Sequence, residues 1–269
     1  MCRLFLSIRN SNTKQKMYEF LKQSDHPRKN TPGINNYRDE NIQRDGFGFA
    51  WFDQGWKLYK NPFIYHKDPN LDSKINKMKK EIVIGQLKNN RYAKNKLHHV
   101  NIHPFVYENN IIAQNGRIKD FKKHRDNLVK YIAADLVMHI MGETDTEFLL
   151  FMYLTILRRR KMSLQSIHDS MLELFRIFDK EGIELTANII YANESYVLIT
   201  RYIHYDRSHY KREQYPQSLY YFMDKDGKNL LVSSEPVSEK YEIFPMNTMM
   251  VLNFHNMKKI HSVIPMMNH

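Results

Sequence analysis

The chain has 269 residues, of which 42% are hydrophobic, 13% aromatic and 26% charged. This is the composition of a globular protein, and with only 9 Gly and 9 Pro residues it excludes a fibrous or low-complexity chain. The formal net charge is +12, but the Lys and Arg residues are spread over several predicted elements. We therefore expect a solvated basic surface rather than a nucleic-acid-binding patch. No repeat or linker divides the sequence, which predicts a single domain over residues 1–269.

The first half of the chain is predicted to be rich in strands. Apolar or alternating runs indicate strands at residues 3–8, 49–52, 56–59, 82–84 and 111–113. Helical periodicity indicates helices at residues 14–23 and 73–80. The strand at residues 111–113 is expected to stop at Asn115-Gly116, because this pair usually forms a turn.

The middle of the chain is predicted to be helical, over residues 122–141, 146–160 and 163–180. Thr144 and Glu147 have the spacing of a capping box, and Gly182 is expected to end the third helix. Strands resume at residues 187–191, 196–202, 219–223, 230–233, 249–254 and 259–263. Strands that pair as hairpins on both sides of a helical block predict an α+β fold, with antiparallel sheets covered by helices.

The expected compartment follows from the cysteine content and the apolar runs. Cys2 is the one cysteine, which excludes an internal disulfide and fits a reducing compartment. Arg3 and Arg9 enclose a run that is too short for a signal-peptide core. The longest apolar stretch, residues 148–157, is about half of the ~20 residues that a membrane span needs. We expect a cytoplasmic protein without a membrane partner.

The sequence predicts neither a cofactor nor a metal. Gly46-Phe47-Gly48 lacks the third glycine of a dinucleotide-binding fingerprint. His98, His99 and His103 have no acidic or cysteine partner at the spacing of metal ligands, so they favour loop and core roles.

Cys2 is the first candidate for chemistry. Cysteine attacks as a thiolate and needs a base or a positive environment to lose its proton. Removal of Met1, which is favoured before a side chain as small as cysteine, would give Cys2 a free α-amine with a pKa of roughly 7.7–8.0. That amine is a base of the kind that N-terminal nucleophiles use. The alternative is a small buried residue in the first strand.

Two further sites each have a structural and a chemical interpretation. Asn115-Gly116 is typical of a turn, but a side-chain amide beside a glycine N–H also suits a developing oxyanion. Asp145 lies in a segment that starts a helix, where acids usually stabilise the helix dipole. An acid at that position can also bind a substrate ammonium group.

Six motifs occur in a fixed order along the chain: Cys2, Asp45-Gly46-Phe47-Gly48, Asn101-Ile102-His103-Pro104-Phe105, Gln114-Asn115-Gly116, residues 142–147, and Ser233-Ser234-Glu235-Pro236. In this order and spacing the sequence resembles the class II glutamine amidotransferases, which are N-terminal-nucleophile hydrolases. It is most similar to their stand-alone branch, which includes ergothioneine-pathway γ-glutamyl hydrolases and the glutathione-degrading amidotransferase subunit. The similarity runs from about Cys2 to Phe254.

The resemblance implies a four-layer αββα sandwich with Cys2 as nucleophile on the first strand of a sheet. Cys2 would attack the γ-carbonyl of glutamine or a γ-glutamyl compound, with its α-amine as base. Asn115 and the Gly116 N–H would stabilise the oxyanion, and Asp145 would hold the substrate's α-ammonium group. A γ-glutamyl thioester would form, and water would release glutamate.

The sequence departs from the family pattern at the position expected to bind the substrate's α-carboxylate. Where the family usually has His-x-Arg, this chain has Gln86-Leu87-Lys88. A lysine offers a point charge in place of the bidentate fork of arginine. Either Lys88 or Arg91 is then expected to bind the carboxylate.

Other departures concern residues near the glycine motifs. Gln114 stands where a histidine usually precedes Asn-Gly, Gln43 replaces another histidine, and Phe47 replaces a tryptophan. These changes leave a second hypothesis open, in which the protein is a catalytically impaired relative that serves as a binding or regulatory subunit. A third hypothesis uses the charge of +12 for association with nucleic acid or another polyanion.

The resemblance also bears on the partners. We expect the chain to end with the glutaminase-like domain, so that released ammonia would either be lost or pass to a separate subunit. The leaving group, ammonia or a larger amine, stays open at the level of the sequence.

Overall fold

The computed structural model describes residues 2–25, 46–79, 81–88, 99–204, 218–237 and 240–265. Within these residues the strands are β1 (Arg3–Ile8), β2 (Phe47–Phe52), β3 (Trp56–Asn61), β4 (Ile82–Leu87), β5 (Phe105–Tyr107), β6 (Asn110–Ile118), β7 (Leu185–Ala192), β8 (Tyr196–His204), β9 (Tyr220–Met223), β10 (Leu230–Ser233), β11 (Glu242–Ile243), β12 (Thr248–Asn253) and β13 (Lys259–Val263). The helices are α1 (Thr13–Lys22), α2 (Leu71–Lys77), α3 (Phe121–Leu128), α4 (Ala134–Val137), α5 (Asp145–Leu157) and α6 (Leu164–Lys180).

The strands form two antiparallel sheets. The first has the order β11-β9-β10-β1-β4-β2-β3, and the second has the order β13-β12-β8-β7-β6-β5. The N-terminal strand β1 therefore lies inside its sheet, between β10 and β4. Strand β1 is therefore held by ladder hydrogen bonds to a neighbouring strand on each side.

Three apolar clusters divide the molecule into layers. Helices α1 and α2 cover the outer face of the first sheet, where Met17, Phe20 and Ile75 pack with residues such as Phe5 and Phe49. The second cluster lies between the two sheets. The third joins α5 and α6 to the outer face of the second sheet. The predicted α+β class and its αββα layering are confirmed.

Asn115-Gly116 does not end a strand, so the prediction of a turn there is wrong. Both residues lie inside β6, which runs to Ile118 and pairs with β7 along its length. Gly116 faces Ala187 across the ladder. Sheet pairing overrides the local turn preference, because a strand with partners along its length leaves no free end for a turn.

The predicted helix over residues 122–141 is also wrong as one element. It is broken into α3, a 3₁₀ turn at Val129–Tyr131 and α4, with an extended backbone at Ile132. The break is stabilised by α5, because Thr155 Oγ1 accepts a 3.0 Å hydrogen bond from Ala133 N.

The end of α6 and the start of α5 have the predicted caps in different degrees. Gly182, with φ of +62°, ends α6 as predicted. At the start of α5, Thr144 accepts a hydrogen bond from Glu147 N, as the capping box requires. The Glu147 carboxylate does not complete the box, because it accepts from Met141 N and Gly142 N.

No helix in the described part of the chain is long and apolar enough to cross a membrane.

Candidate active site

Cys2 lies directly before β1, with its side chain expected toward the space between the sheets. Leu4, Leu6 and Ile8 belong to the cluster between the sheets. Side chains alternate along a strand, so Cys2, two residues before Leu4, shares their face. Cys2 is a free, partly exposed thiol.

Asn115 reaches the same end of this space from the second sheet. Ile111 and Ala113 pack between the sheets, and Asn115 continues their alternation. The Ser234 hydroxyl accepts a hydrogen bond from Leu4 N at 2.9 Å and a long one from Asn115 Nδ2 at 3.5 Å. The structure thus brings the predicted oxyanion residue to the start of the strand that follows Cys2.

Gly116 occupies a place where no side chain fits. A Cβ atom there would lie 1.9 Å from the Thr186 carbonyl oxygen. This close approach explains the glycine, and it is independent of any role of its N–H group.

Lys88 directly follows β4, at the end of that strand that lies beside Cys2. In the ladder between β1 and β4, Arg3 faces Leu87, and the same register places Cys2 opposite Lys88. Lys88 N donates a 2.9 Å hydrogen bond to Gly46 O, which fixes the backbone where the strand ends.

Asp145 is the first residue of α5 and is tied to β6. Its Oδ2 accepts a 2.8 Å hydrogen bond from Ile118 N. Burial raises the pKa of the Asp145 carboxyl above its usual value, while the bond from Ile118 N and the charge of Lys88 partly offset this effect. A buried carboxyl group with a shifted pKa beside a cleft is a candidate for function.

Lys88 and Asp145 line one open cleft of about 620 Å³. The other lining residues are Asp120, Phe121, Lys122, Lys123, Glu143 and Thr144. The cleft therefore presents both cations and anions, among them Lys88 and Asp145, which suits a zwitterionic amino-acid group. Cys2, Asn115 and Gly116 are not among its lining residues. Arg91, Gln43 and Asp45 lie outside the described residues.

Two departures from the family pattern contact each other. Gln86 Nε2 donates a hydrogen bond to the Gln114 carbonyl oxygen, which links the two sheets. The Gln114 side chain also accepts a 2.7 Å hydrogen bond from Thr146 Oγ1, on the helix that carries Asp145. The sequence shows Gln86 and Gln114 only as two replacements and does not predict this contact, because the two residues lie 28 positions apart.

The Ser233-Ser234-Glu235-Pro236 motif has a clear structural role at the start of β1. Ser234 binds Leu4 as described above, and Arg3 Nε donates a 2.6 Å hydrogen bond to Glu235 Oε1 within an ion pair. The Glu235 side chain is only 1% exposed, so this ion pair is shielded from water. The motif holds the strand that begins after Cys2.

Burial lowers the pKa of two basic groups beside the site, His103 and Lys60. Burial, together with the charges of Lys88 and Lys60, holds the pKa of His103 well below its usual value. Burial also lowers the pKa of Lys60 to about 8, against the opposing charge of Glu147. The Lys60 ammonium lies 4.9 Å from the centre of the Phe105 ring.

Among the described residues, no group of three or more His, Cys, Asp or Glu side chains is arranged to hold a metal ion.

Solved structures with the same fold come from glutamine amidotransferases. A glutamine aminotransferase class-II domain protein from Silicibacter pomeroyi superposes with a TM-score of 0.59 at 18% identity, covering 82% of this chain and 92% of that one. A predicted glutamine amidotransferase from Pseudomonas aeruginosa gives 0.53 at 16% identity, with coverages of 94% and 93%. The phosphoribosylpyrophosphate amidotransferase of Bacillus subtilis gives 0.63 at 15% identity, where 98% of this chain matches 50% of that chain. At these identities the likeness establishes the fold alone.

The sequence itself gives the family. No curated protein matches the chain by sequence. The family model for class-II glutamine amidotransferases matches residues 32–263, which is most of the chain but does not include Cys2. The chain therefore belongs to the class II glutamine amidotransferases, a family of enzymes that act on amide C–N bonds.

Proposed function

We propose that the protein hydrolyses the γ-amide of glutamine or of a γ-glutamyl compound, with Cys2 as an N-terminal nucleophile. The observation that carries this proposal is the cleft shared by Lys88 and Asp145, beside the strand end that faces Cys2. A glutamyl group has an α-carboxylate and an α-ammonium at one end and the scissile amide at the other. The two charges suit the first end, and Cys2 with Asn115 suits the second.

The reaction would proceed in two balanced steps. After Met1 is removed, the α-amine of Cys2 takes the thiol proton, and the sulfur attacks the γ-carbonyl carbon. Asn115 Nδ2 and Gly116 N–H stabilise the resulting oxyanion. The protonated amine then donates its proton to the leaving nitrogen as the C–N bond breaks, which leaves a γ-glutamyl thioester. Water then attacks the thioester while the α-amine takes one of its protons, the C–S bond breaks, the thiolate regains that proton, and glutamate leaves.

The binding roles follow from charge. Asp145 would accept hydrogen bonds from the α-ammonium group, and Lys88 would pair with the α-carboxylate, with Arg91 as a second cation. Such charge-assisted hydrogen bonds are stronger than neutral ones. The amine product would be ammonia or a larger amine, and ammonia would be released or passed to a separate subunit. We place this reaction in the reducing cytoplasm, where an N-terminal thiol stays free.

Glutamate release measured on the purified protein tests this function. We expect release from glutamine or from at least one member of a panel of γ-glutamyl amides with different amines. Cys2→Ala should abolish release without loss of binding, because the substrate's charges meet Lys88 and Asp145. Lys88→Met should mainly raise KM.

A second candidate function is that of a binding or regulatory subunit, which the replacements at Gln86, Lys88 and Gln114 favour. It predicts that calorimetry detects binding of glutamine or a γ-glutamyl compound while no member of the panel releases glutamate. That result would overturn the proposed hydrolysis.

A further inference from the structure

We propose that Gln114 is a positioning residue that couples the ammonium-binding carboxylate to the oxyanion-binding pair. The inference rests on the proposed function, because it takes Asp145, Asn115 and Gly116 in the roles assigned above. It adds a specific physical connection between them, which runs through the Thr146 hydroxyl.

Helix α5 is fixed to β6 by two consecutive residues. Asp145 Oδ2 accepts from Ile118 N at 2.8 Å, and Thr146 Oγ1 donates to Gln114 Oε1 at 2.7 Å. On β6 these two contacts lie on either side of Asn115 and Gly116. A shift of the start of α5 is therefore passed to the peptide that carries the oxyanion donors.

The Thr146 proton has one favoured acceptor. Thr146 Oγ1 is 2.7 Å from Gln114 Oε1 but 3.5 Å from Asp145 Oδ1. A hydroxyl has a single proton, so the shorter and stronger bond goes to Gln114. The Thr146 hydroxyl thus donates its hydrogen bond to Gln114 on β6 and not to the neighbouring Asp145 carboxylate.

Gln114 is held from three other directions as well. Its Nε2 donates to the Thr186 carbonyl oxygen at 3.0 Å, its N–H donates to His103 Nδ1 at 3.4 Å, and its carbonyl accepts from Gln86 Nε2. The residue is 2% exposed. A buried side chain whose donor and acceptor both have partners holds one geometry, since any other would leave a polar group unpaired.

The neighbouring Gly116 depends on the same contact point. The Thr186 carbonyl that accepts from Gln114 Nε2 is also the atom that a Cβ at Gly116 would strike. Gln114 and the Gly116 peptide therefore meet β7 at the same carbonyl group. An ammonium group bound to Asp145 improves the alignment of the oxyanion donors through this connection.

The test compares glutamine with glutaramate, which lacks the α-amino group, in three variants of α5. Thr146→Val removes the hydroxyl at nearly constant volume, and Thr146→Ser keeps it. Thr155→Val is the matched control, because Thr155 lies on the same helix and bonds to Phe151 O and Ala133 N, away from Gln114.

We expect Thr146→Val to lower kcat for glutamine by roughly five- to tenfold, the loss that one hydrogen bond produces. KM for glutamine should change less than twofold, kcat for glutaramate should stay unchanged, and Thr146→Ser should restore the wild-type value. An equal loss with both substrates, a loss in KM alone, or the same effect in Thr155→Val would overturn the proposal.

A second readout does not depend on turnover. Amide hydrogen exchange over residues 111–118 should be faster in Thr146→Val than in wild type and unchanged in Thr155→Val. If wild type releases no glutamate, the proposed function fails, and the exchange result still decides whether Thr146 holds Gln114. Unchanged exchange in Thr146→Val would reject the connection.

Discussion

Ser234 and Leu4 exchange two hydrogen bonds: the Ser234 hydroxyl accepts from Leu4 N at 2.9 Å, and Ser234 N donates to Leu4 O at 3.0 Å. These bonds fix the chain two residues after Cys2. The same hydroxyl lies 3.5 Å from Asn115 Nδ2, so the Ser234 side chain contacts both β1 and the second sheet.

Ser234→Ala should lower the free energy of unfolding by about 1–3 kcal/mol, because Leu4 N loses its buried acceptor. It should also slow the reaction of Cys2 with a thiol-directed or glutamine-derived reagent, since the strand start becomes less ordered. Urea unfolding and labelling rates measure the two effects. Ser233→Ala is the control, because the buried Ser233 hydroxyl has no hydrogen-bond partner among the described residues. Equal losses in both variants would contradict the role of Ser234.

Asp145→Asn should raise KM for glutamine tenfold or more, because a charge-assisted hydrogen bond is replaced by a neutral one. The fold should not suffer at neutral pH, since burial raises the pKa of this carboxyl. With the folded-state pKa above the unfolded one, the folded protein loses stability as pH rises from about 4 through the folded pKa. The free energy of unfolding of Asp145→Asn does not fall in this way, so it should increasingly exceed that of wild type over this pH range.

Asp120→Asn provides the control for Asp145→Asn. Asp120 lines the same cleft and is exposed, and the substitution removes the same charge. Steady-state kinetics and urea unfolding at several pH values should show little change in this variant. A KM increase as large as that of Asp145→Asn would mean that the cleft acts through its overall charge.

Gly116→Ala should destabilise the protein by about 3 kcal/mol or more and reduce activity, because the new Cβ would meet the Thr186 backbone oxygen at 1.9 Å. Backbone cannot give way as a side chain can. Gly85→Ala is the control, where the Cβ would meet side-chain atoms of Phe20 and Met17 at the longer distances of 3.2 and 3.4 Å. Thermal unfolding should show the larger loss at Gly116, and the reverse order would contradict the close strand approach.

Lys60→Met should stabilise the protein at pH 7 relative to wild type. Burial lowers the pKa of Lys60 to about 8, so wild type gains stability as pH rises from about 8 toward 10.5, where the unfolded lysine loses its proton. The variant lacks that gain, so the difference in the free energy of unfolding between Lys60→Met and wild type should shrink over this pH range. Urea unfolding at a series of pH values measures it, with Lys57→Met, exposed on the same strand, as control. A difference in the free energy of unfolding that stays constant with pH would refute the lowered pKa of Lys60.

The sequence predicted the layers well and the local geometry of the site less well. Strands such as β1 and β12 were predictable because their apolar runs must be buried. The local sequence predicts a turn at Asn115-Gly116, because the place of this pair inside β6 depends on pairing with β7, which lies some 70 residues later. Gln114 carried no signal for its contact with Thr146, since only the packing of α5 on β6 brings the two together.

The proposed function requires that Cys2, with a free α-amine, attacks a glutamyl γ-carbonyl. Intact-protein mass spectrometry before and after incubation with a glutamine-derived diazo or chloroketone label tests this requirement, with Cys2→Ala as the matched control. We predict that the purified chain lacks Met1 and gains one adduct, and that Cys2→Ala gains none. Retention of Met1, or a processed chain that does not react with the label, would contradict the account.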